Sequence, residues 1–269
     1  MKKKISYLIC AVIVTMLCIT GCGDPEKKKS EEQCNAEISR IEKQLSTRDE
    51  MVESAETFVK EEKPALDGEL VGALETAISN AKAITFDKPE VKGTKEEIDT
   101  LIQELKKTDY QEELDNLKAA QENLDVSRQQ YELVNAPNEA FVIERLERVE
   151  NMGDIAAATE DNDPNGNLNK QGGYTAQIYF STSLIDQSEF DSDSVIDKGT
   201  DCGGSIEVYK TEKEALVRNE YLAAFDGGMF ASGSHTVVGT VLIRTSDKLT
   251  ASQQQALETS IVASLTTLE

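Results

Sequence analysis

Apolar residues recur at helical spacing through the first half of the chain. Between Ser30 and about Val134, steps of three, four and seven residues give each segment a single apolar stripe, which is typical of amphipathic helices. Pro64, the 87–93 stretch and a capping box at Thr94–Glu97 divide this region into successive helices. The stripes lack strict heptads, so they predict a helical bundle or stalk rather than a long coiled coil.

The second half mixes alternating patterns with helical ones. Strands are predicted at 155–159, 174–181, 205–209 and 237–244, and helices after Pro137, from the capping box Thr211–Glu214 to about Phe225, and from Thr250 onward. This order favours a small α+β domain with a mostly antiparallel sheet and helices on one face. The predicted organisation is a leader at 1–21, a flexible tether at 22–33, a helical bundle at 34–135 and an α+β domain at 136–269.

The first 22 residues have the anatomy of an export signal. Three lysines precede a mostly apolar run from Ile5 to Ile19, which is shorter than the roughly 20 residues of a membrane-spanning helix. Ile19-Thr20-Gly21-Cys22 resembles the lipobox of bacterial lipoproteins, and that resemblance implies cleavage before Cys22 and lipid on its sulfur. The alternative is an uncleaved N-terminal anchor. Both predict attachment to the cell membrane, with the chain facing the extracellular side.

Charge and composition limit the kinds of molecule that the chain can bind. The net charge is −22, and loss of Lys2, Lys3 and Lys4 with the leader takes it to about −25. Nucleic-acid binding needs a basic footprint, so it is excluded as a function. Beyond the leader and Cys22, only Cys34 and Cys202 remain, either as free thiols or as one disulfide.

His235 is the only histidine and raises the question of catalysis. Paired with Ser234 or Cys202 it suggests a hydrolase, but no local signature such as G-x-S-x-G supports a catalytic triad. The glycine-rich stretch around Asp201 and Cys202 makes a candidate ligand loop with His235, although a strand rather than a helix follows it. No catalytic residue is assigned, and a structural role for His235 is preferred.

The stretch "DNDPNGNLNKQG" begins like a calcium loop. Asp161, Asp163 and Asn165 occupy its first, third and fifth positions and Gly166 its sixth, but position 12 is Gly172 instead of a bidentate Glu. A complete EF-hand is therefore excluded. The preferred interpretation is a type I turn at "DPNG", with partial calcium ligation by the three oxygen-bearing side chains as the alternative cofactor hypothesis.

Three stretches resemble a family of Gram-positive surface lipoproteins described as EbhA-like, or extracellular matrix-binding-like. They are "NDPNGNLNKQGGYTAQIYF" at 162–180, "DKGTDCGGSIEVYKTEKEA" at 197–215 and "SGSHTVVGTVLIRTSDKLTASQQQ" at 232–255. Leu70–Leu133, with "AISNAKAI", is similar to one three-helix module of large staphylococcal adhesins. The resemblance implies an outward-facing bundle and domain, and it carries over no catalytic residue.

The sequence thus predicts a lipid-anchored cell-surface protein that presents a binding or adhesion module on a helical stalk. Its partners are the membrane, through the lipid, and an unidentified extracellular or cell-wall molecule. The alternatives are an envelope hydrolase that uses Cys202 or Ser234 with His235, and a lipoprotein that binds a small ligand.

Overall fold

A computed structural model describes residues 24–227 and 233–269 as a mixed α+β structure, which confirms the predicted fold class. Its helices are α1 (Pro25–Val59), α2 (Glu69–Ala83), α3 (Lys95–Leu105), α4 (Gln111–Leu133), α5 (Glu139–Leu146), α6 (Val195–Lys198), α7 (Glu212–Ala223) and α8 (Ala251–Thr266). Its strands are β1 (Met152–Ala157), β2 (Ala176–Thr182), β3 (Gly203–Val208), β4 (Ser234–Val238) and β5 (Val241–Thr245). Short 3-10 turns lie at Gln187–Glu189 and Gly199–Cys202.

The described residues form two compact units. Among the described residues, the first consists of 24–47 together with Thr85–Gln111. Its core joins the first part of α1 to α3, through buried side chains that include Cys34, Ile38, Ile41, Ile98, Ile102 and Leu105. The predicted capping box is confirmed at the start of α3, where the Thr94 hydroxyl accepts from the Glu97 N–H and the Glu97 carboxylate accepts from the Thr94 N–H.

Helix α1 starts within the segment predicted as a flexible tether. Residues from Pro25 onward are helical, which corrects the tether prediction for most of 22–33. Proline suits the first helical position because its missing N–H would have no partner there. The Asp24 carboxylate accepts from the Glu26 N–H at 3.0 Å. Ser30 is buried and its hydroxyl donates to Asp99 of α3 at 2.6 Å, so packing holds this part of the helix in place.

The second unit contains Arg48–Ile84 and Glu112–Glu269. In it the end of α1 packs with α2 and α4 through a stripe of buried residues: Val52, Ala55, Leu74, Ile78, Ala81, Leu117 and Leu124. These positions follow the apolar spacing that predicted the helices. Val134, just after α4, belongs instead to the core of the sheet.

The sheet has the order β1-β2-β3-β5-β4, and every neighbouring pair is antiparallel. Side chains alternate between the two faces of a strand. One face therefore carries a row formed by Ile178, Ile206 and Ile243, and the other a row formed by Gln177, Glu207 and Leu242.

Both faces of the sheet are covered. The isoleucine face packs against α5 and α8, where Leu257, Ile261 and Leu265 are buried as predicted. The other face packs against α7, whose Ala215 and Leu222 contact the cluster that contains Leu242. The predicted placement of helices on one face thus holds for α5 and α8 but not for α7. The physical reason is an ion pair that draws α7 onto the second face, described below.

The predicted strand at 237–244 is wrong in one respect, because the chain reverses within it. Gly239 and Thr240 form a two-residue turn between β4 and β5. Gly239 has a φ of 56°, and a Cβ there would lie 2.6 Å from the carbonyl oxygen of Val134. The Thr240 N–H donates to that same oxygen at 2.9 Å. The turn therefore depends on a contact with the end of α4 that no local pattern reveals.

Candidate functional site

The loop that begins like a calcium site is organised by Asp163. A backbone hydrogen bond from the Gly166 N–H to the Asp163 carbonyl, 3.1 Å long, closes the β-turn that the sequence predicts. The Asp163 carboxylate accepts from three more backbone N–H groups, those of Asn165, Asn167 and Leu168, at 2.7–3.1 Å. It also accepts from the Tyr174 hydroxyl at 2.6 Å. Both carboxylate oxygens are therefore engaged inside the loop.

The electrostatics of Asp163 agree with this structural role. Burial acts to raise the pKa of its carboxyl, but the hydrogen bonds from Tyr174 and the backbone outweigh burial and hold the pKa below its ordinary value. Burial and the same bond to Asp163 raise the pKa of Tyr174. Across 24–227 and 233–269, no group of three His, Cys, Asp or Glu side chains is arranged to hold a metal ion. Calcium ligation by Asp161, Asp163 and Asn165 stays a hypothesis for experiment.

Cys202 is the last residue of the 3-10 turn that leads into β3, and it is fully buried. Its side chain is buried with Tyr179, Val195 and Ile196. The nearest polar atoms to its Sγ are backbone carbonyl oxygens, such as that of Gly199 at 3.3 Å. Burial raises the pKa of this thiol to about 11, so it is protonated at neutral pH and a poor nucleophile.

His235 lies on β4 and connects the edge of the sheet to α7. Its Nδ1 is 2.7 Å from Oδ1 of Asn219, and its Nε2 is 3.3 Å from Oδ1 of Asp226. Both ring nitrogens thus face side-chain oxygens, and neither of these belongs to Ser234 or Cys202. His235 therefore links β4 to Asn219 of α7 and to Asp226, which follows α7.

The structure does not assemble the predicted hydrolase constellation. Ser234 precedes His235 in β4, so the two side chains point to opposite faces of the sheet. Cys202 contacts carbonyl oxygens, whereas His235 contacts Asn219 and Asp226. Asp201 is exposed, and its backbone carbonyl accepts from the Ser246 hydroxyl at 2.8 Å. The ligand loop proposed from Asp201, Cys202 and His235 therefore has no shared hydrogen bond.

A buried ionic cluster lies on the face of the sheet beneath α7, and the sequence analysis missed it. Glu207 on β3 is fully buried. Its carboxylate accepts from Tyr209 at 2.6 Å, from Arg218 of α7 at 3.1 and 3.3 Å, and from Arg244 of β5 at 3.3 Å. Burial acts to lower the pKa of Arg218, but Glu207 outweighs it and holds that pKa above its ordinary value. This ion pair places α7 on the second face of the sheet.

The cluster continues into a strip of polar residues on the same face. Tyr179 of β2 is buried, and burial raises the pKa of its phenol to about 12. Gln177 of β2 lies opposite Glu207, and Ser205 of β3 lies opposite Arg244. Both are fully buried. Neither the two amide atoms of Gln177 nor the hydroxyl of Ser205 has a hydrogen-bond partner among the described residues.

Two further cysteine predictions concern the anchor and the disulfide. Cys22 lies outside the described residues, so its lipidation stays a prediction. Cys34 and Cys202 are both buried free thiols in the structure, and this decides against the disulfide alternative. Within the part of the chain that the structure describes, no helix combines the length and the apolarity that crossing a bilayer requires.

Comparisons with protein-family models, curated proteins and solved structures gave no match.

Proposed function

We propose that the chain is a lipid-anchored surface protein of the EbhA-like kind, and that its α+β domain binds an extracellular partner. The observation that carries the proposal is the order of features at the N-terminus. A lysine cluster, an apolar run and Ile19-Thr20-Gly21-Cys22 follow one another as in a lipoprotein leader. A chain held outside the cell by one lipid has its folded part available to molecules in the surroundings or in the cell wall.

The outer surface of α7 supports a binding role for the domain. Leu216, Val217 and Tyr221 are large apolar side chains, and 44%, 57% and 56% of their surfaces are exposed. The Tyr221 ring packs edge-on against Phe225, with the ring centres 5.1 Å apart. The Arg218 guanidinium lies 5.2 Å from the centre of the Tyr221 ring. Tyrosine and arginine beside exposed aliphatic groups are enriched in protein interfaces.

The hydrolase alternative has little support from the geometry. A general base must be within hydrogen-bonding reach of the group that it activates. His235 instead contacts Asn219 and Asp226, and the Cys202 thiol is buried and protonated at neutral pH. The structure therefore favours a binding protein over an enzyme of this type.

The test is adhesion of whole cells that display the full-length chain. Wells are coated with extracellular-matrix protein, with purified cell wall, or with albumin. We expect cells with the wild-type chain to be retained on the matrix or cell-wall coating, and a Val217→Ser/Tyr221→Ser variant to lose most of that retention. The control is Leu184→Ser, which changes an exposed leucine (39%) away from α7. Equal retention of cells with and without the chain would refute the proposal.

A further inference from the structure

The polar strip that continues from the Glu207 cluster contains side chains whose hydrogen-bonding capacity no other described residue uses. Gln177 and Ser205 have no exposed surface. The amide nitrogen and oxygen of Gln177 and the hydroxyl oxygen of Ser205 have no partner within 24–227 and 233–269. Buried polar groups in folded proteins are almost always hydrogen-bonded, and an unpaired one is costly. Three such atoms on one face of two paired strands call for a common explanation.

The sheet register places the two residues near each other. Gln177 of β2 is paired with Glu207 of β3, and Ser205 lies two positions before Glu207 on that strand. The two therefore share a face as diagonal neighbours, a relation in which residue centres are about 7–8 Å apart. A molecule between the two side chains can bond to both.

The neighbouring charges are already occupied. The Glu207 carboxylate accepts from Tyr209, Arg218 and Arg244. A second carboxylate, that of Asp163, is bound to Tyr174, whose ring lies edge-on against Tyr209 with the ring centres 6.1 Å apart. The Glu207 carboxylate thus faces both arginines, and the Asp163 carboxylate is joined to this network through Tyr174 and the contact of its ring with Tyr209. The unused capacity is one amide donor, one amide acceptor and one hydroxyl, and these suit an uncharged molecule that both donates and accepts.

We propose that Gln177 and Ser205 form an internal binding site for a small neutral hydrogen-bonding molecule on the buried face of β2 and β3. The molecule is either water or a small hydroxyl- or amide-bearing solute, which share this chemistry. It bridges the two side chains and joins them to the network around Glu207. The site does not depend on the adhesion function proposed above, because it lies inside the domain.

The sign of a change in melting temperature decides whether the site is occupied. Gln177→Met and Ser205→Ala keep the approximate volume and remove the polar atoms. If a molecule bridges both, each variant of the full-length chain melts lower, by at least ~2 °C, since a satisfied network is broken. The double variant then loses less than the sum of the two, because the bridging molecule is already gone after the first change. Gln255→Met, at an exposed position of α8, is the matched control and should leave the melting temperature unchanged.

Either of two results would overturn the proposal. A higher melting temperature in either variant would mean that the polar atoms are dry and unpaired. Fully additive losses in the double variant would mean that the two side chains share no molecule. If Gln177→Met does not fold, the sign for Ser205→Ala decides alone. The source of the molecule is found by unfolding the purified wild-type chain and analysing the filtrate by mass spectrometry. A neutral compound released one-to-one identifies a solute, and a clean filtrate with full recovery of the melting temperature on refolding identifies water.

Discussion

Replacing Glu207 by glutamine should strongly destabilise the sheet-containing unit. Glu207 is completely buried and accepts from Tyr209, Arg218 and Arg244, so Glu207→Gln keeps the shape of the side chain but leaves two guanidinium groups without their shared carboxylate. Removing one partner of a buried ion pair costs about 3–5 kcal/mol, because the charge that remains is buried and uncompensated. That is a large part of the roughly 5–15 kcal/mol by which domains are stable.

The assay is urea unfolding followed by circular dichroism. With a denaturant slope of about 1–3 kcal/mol per molar urea, this loss lowers the midpoint by at least ~1 M. The matched control is Glu90→Gln, because Glu90 forms an ion pair with Lys92 in which both side chains are more than three-quarters exposed. Exposed pairs contribute about 0–1 kcal/mol, so its midpoint should hardly move. Equal midpoints for the two variants would refute the inference that Glu207 holds α7 on the sheet.

Three other predictions concern the remaining candidate residues. The pKa of Asp163 is lower in the folded state than in the unfolded state, so its contribution to stability is present above about pH 4 and is lost as pH falls through the folded-state pKa. Asp163→Asn should remove this part of the acid destabilisation in melts from pH 6 to 2. Because that carboxylate is engaged within its loop, 2 mM calcium should leave the melting temperature the same as it is with chelator. A rise of several degrees in calcium that Asp163→Ala abolishes would show a metal site. Cys202 is buried with a pKa of about 11, so a maleimide should label it at pH 7 only after unfolding, and rapid labelling of the native chain would contradict its buried position.

The fold class was predictable because the local signals agree with the global structure. The Thr94–Glu97 box starts a helix as predicted, and Thr250 and Gln253 form a capping box at the start of α8. The predicted capping box at Thr211–Glu214 was only partly right. The Thr211 hydroxyl caps α7, but the Glu214 carboxylate accepts a hydrogen bond from that same hydroxyl. Such signals depend on neighbouring residues alone, so they can be recognised without the tertiary structure.

The features that sequence analysis missed depend on distant contacts. Gly239 lies inside a continuous apolar run, and the reason for its turn is the carbonyl oxygen of Val134. Gln177 and Glu207 alternate with apolar residues in their strands, a pattern that predicts a solvated face. Here α7 covers that face. One available signal was Arg244, a charged residue that follows three apolar residues in β5, which indicates a buried partner.

The alternative hydrolase grouping shows what residue types alone do not predict. Cys202, Ser234 and His235 were grouped by residue type, because a sequence gives the kinds of side chain present but not their distances. The strand places Ser234 and His235 on opposite faces, and Cys202 is enclosed beside α6. A hydrolase site requires geometry that residue types alone do not specify.

Metabolic labelling with a radioactive fatty acid tests most directly whether a lipid on Cys22 holds this domain at the cell surface. Cells expressing the full-length wild-type chain or Cys22→Ala are labelled, and the chain is recovered from the membrane fraction and the medium. We expect a labelled, membrane-bound wild-type chain and an unlabelled variant that is released or mislocalised. Equal labelling of the two chains, or a wild-type chain without label, would contradict it.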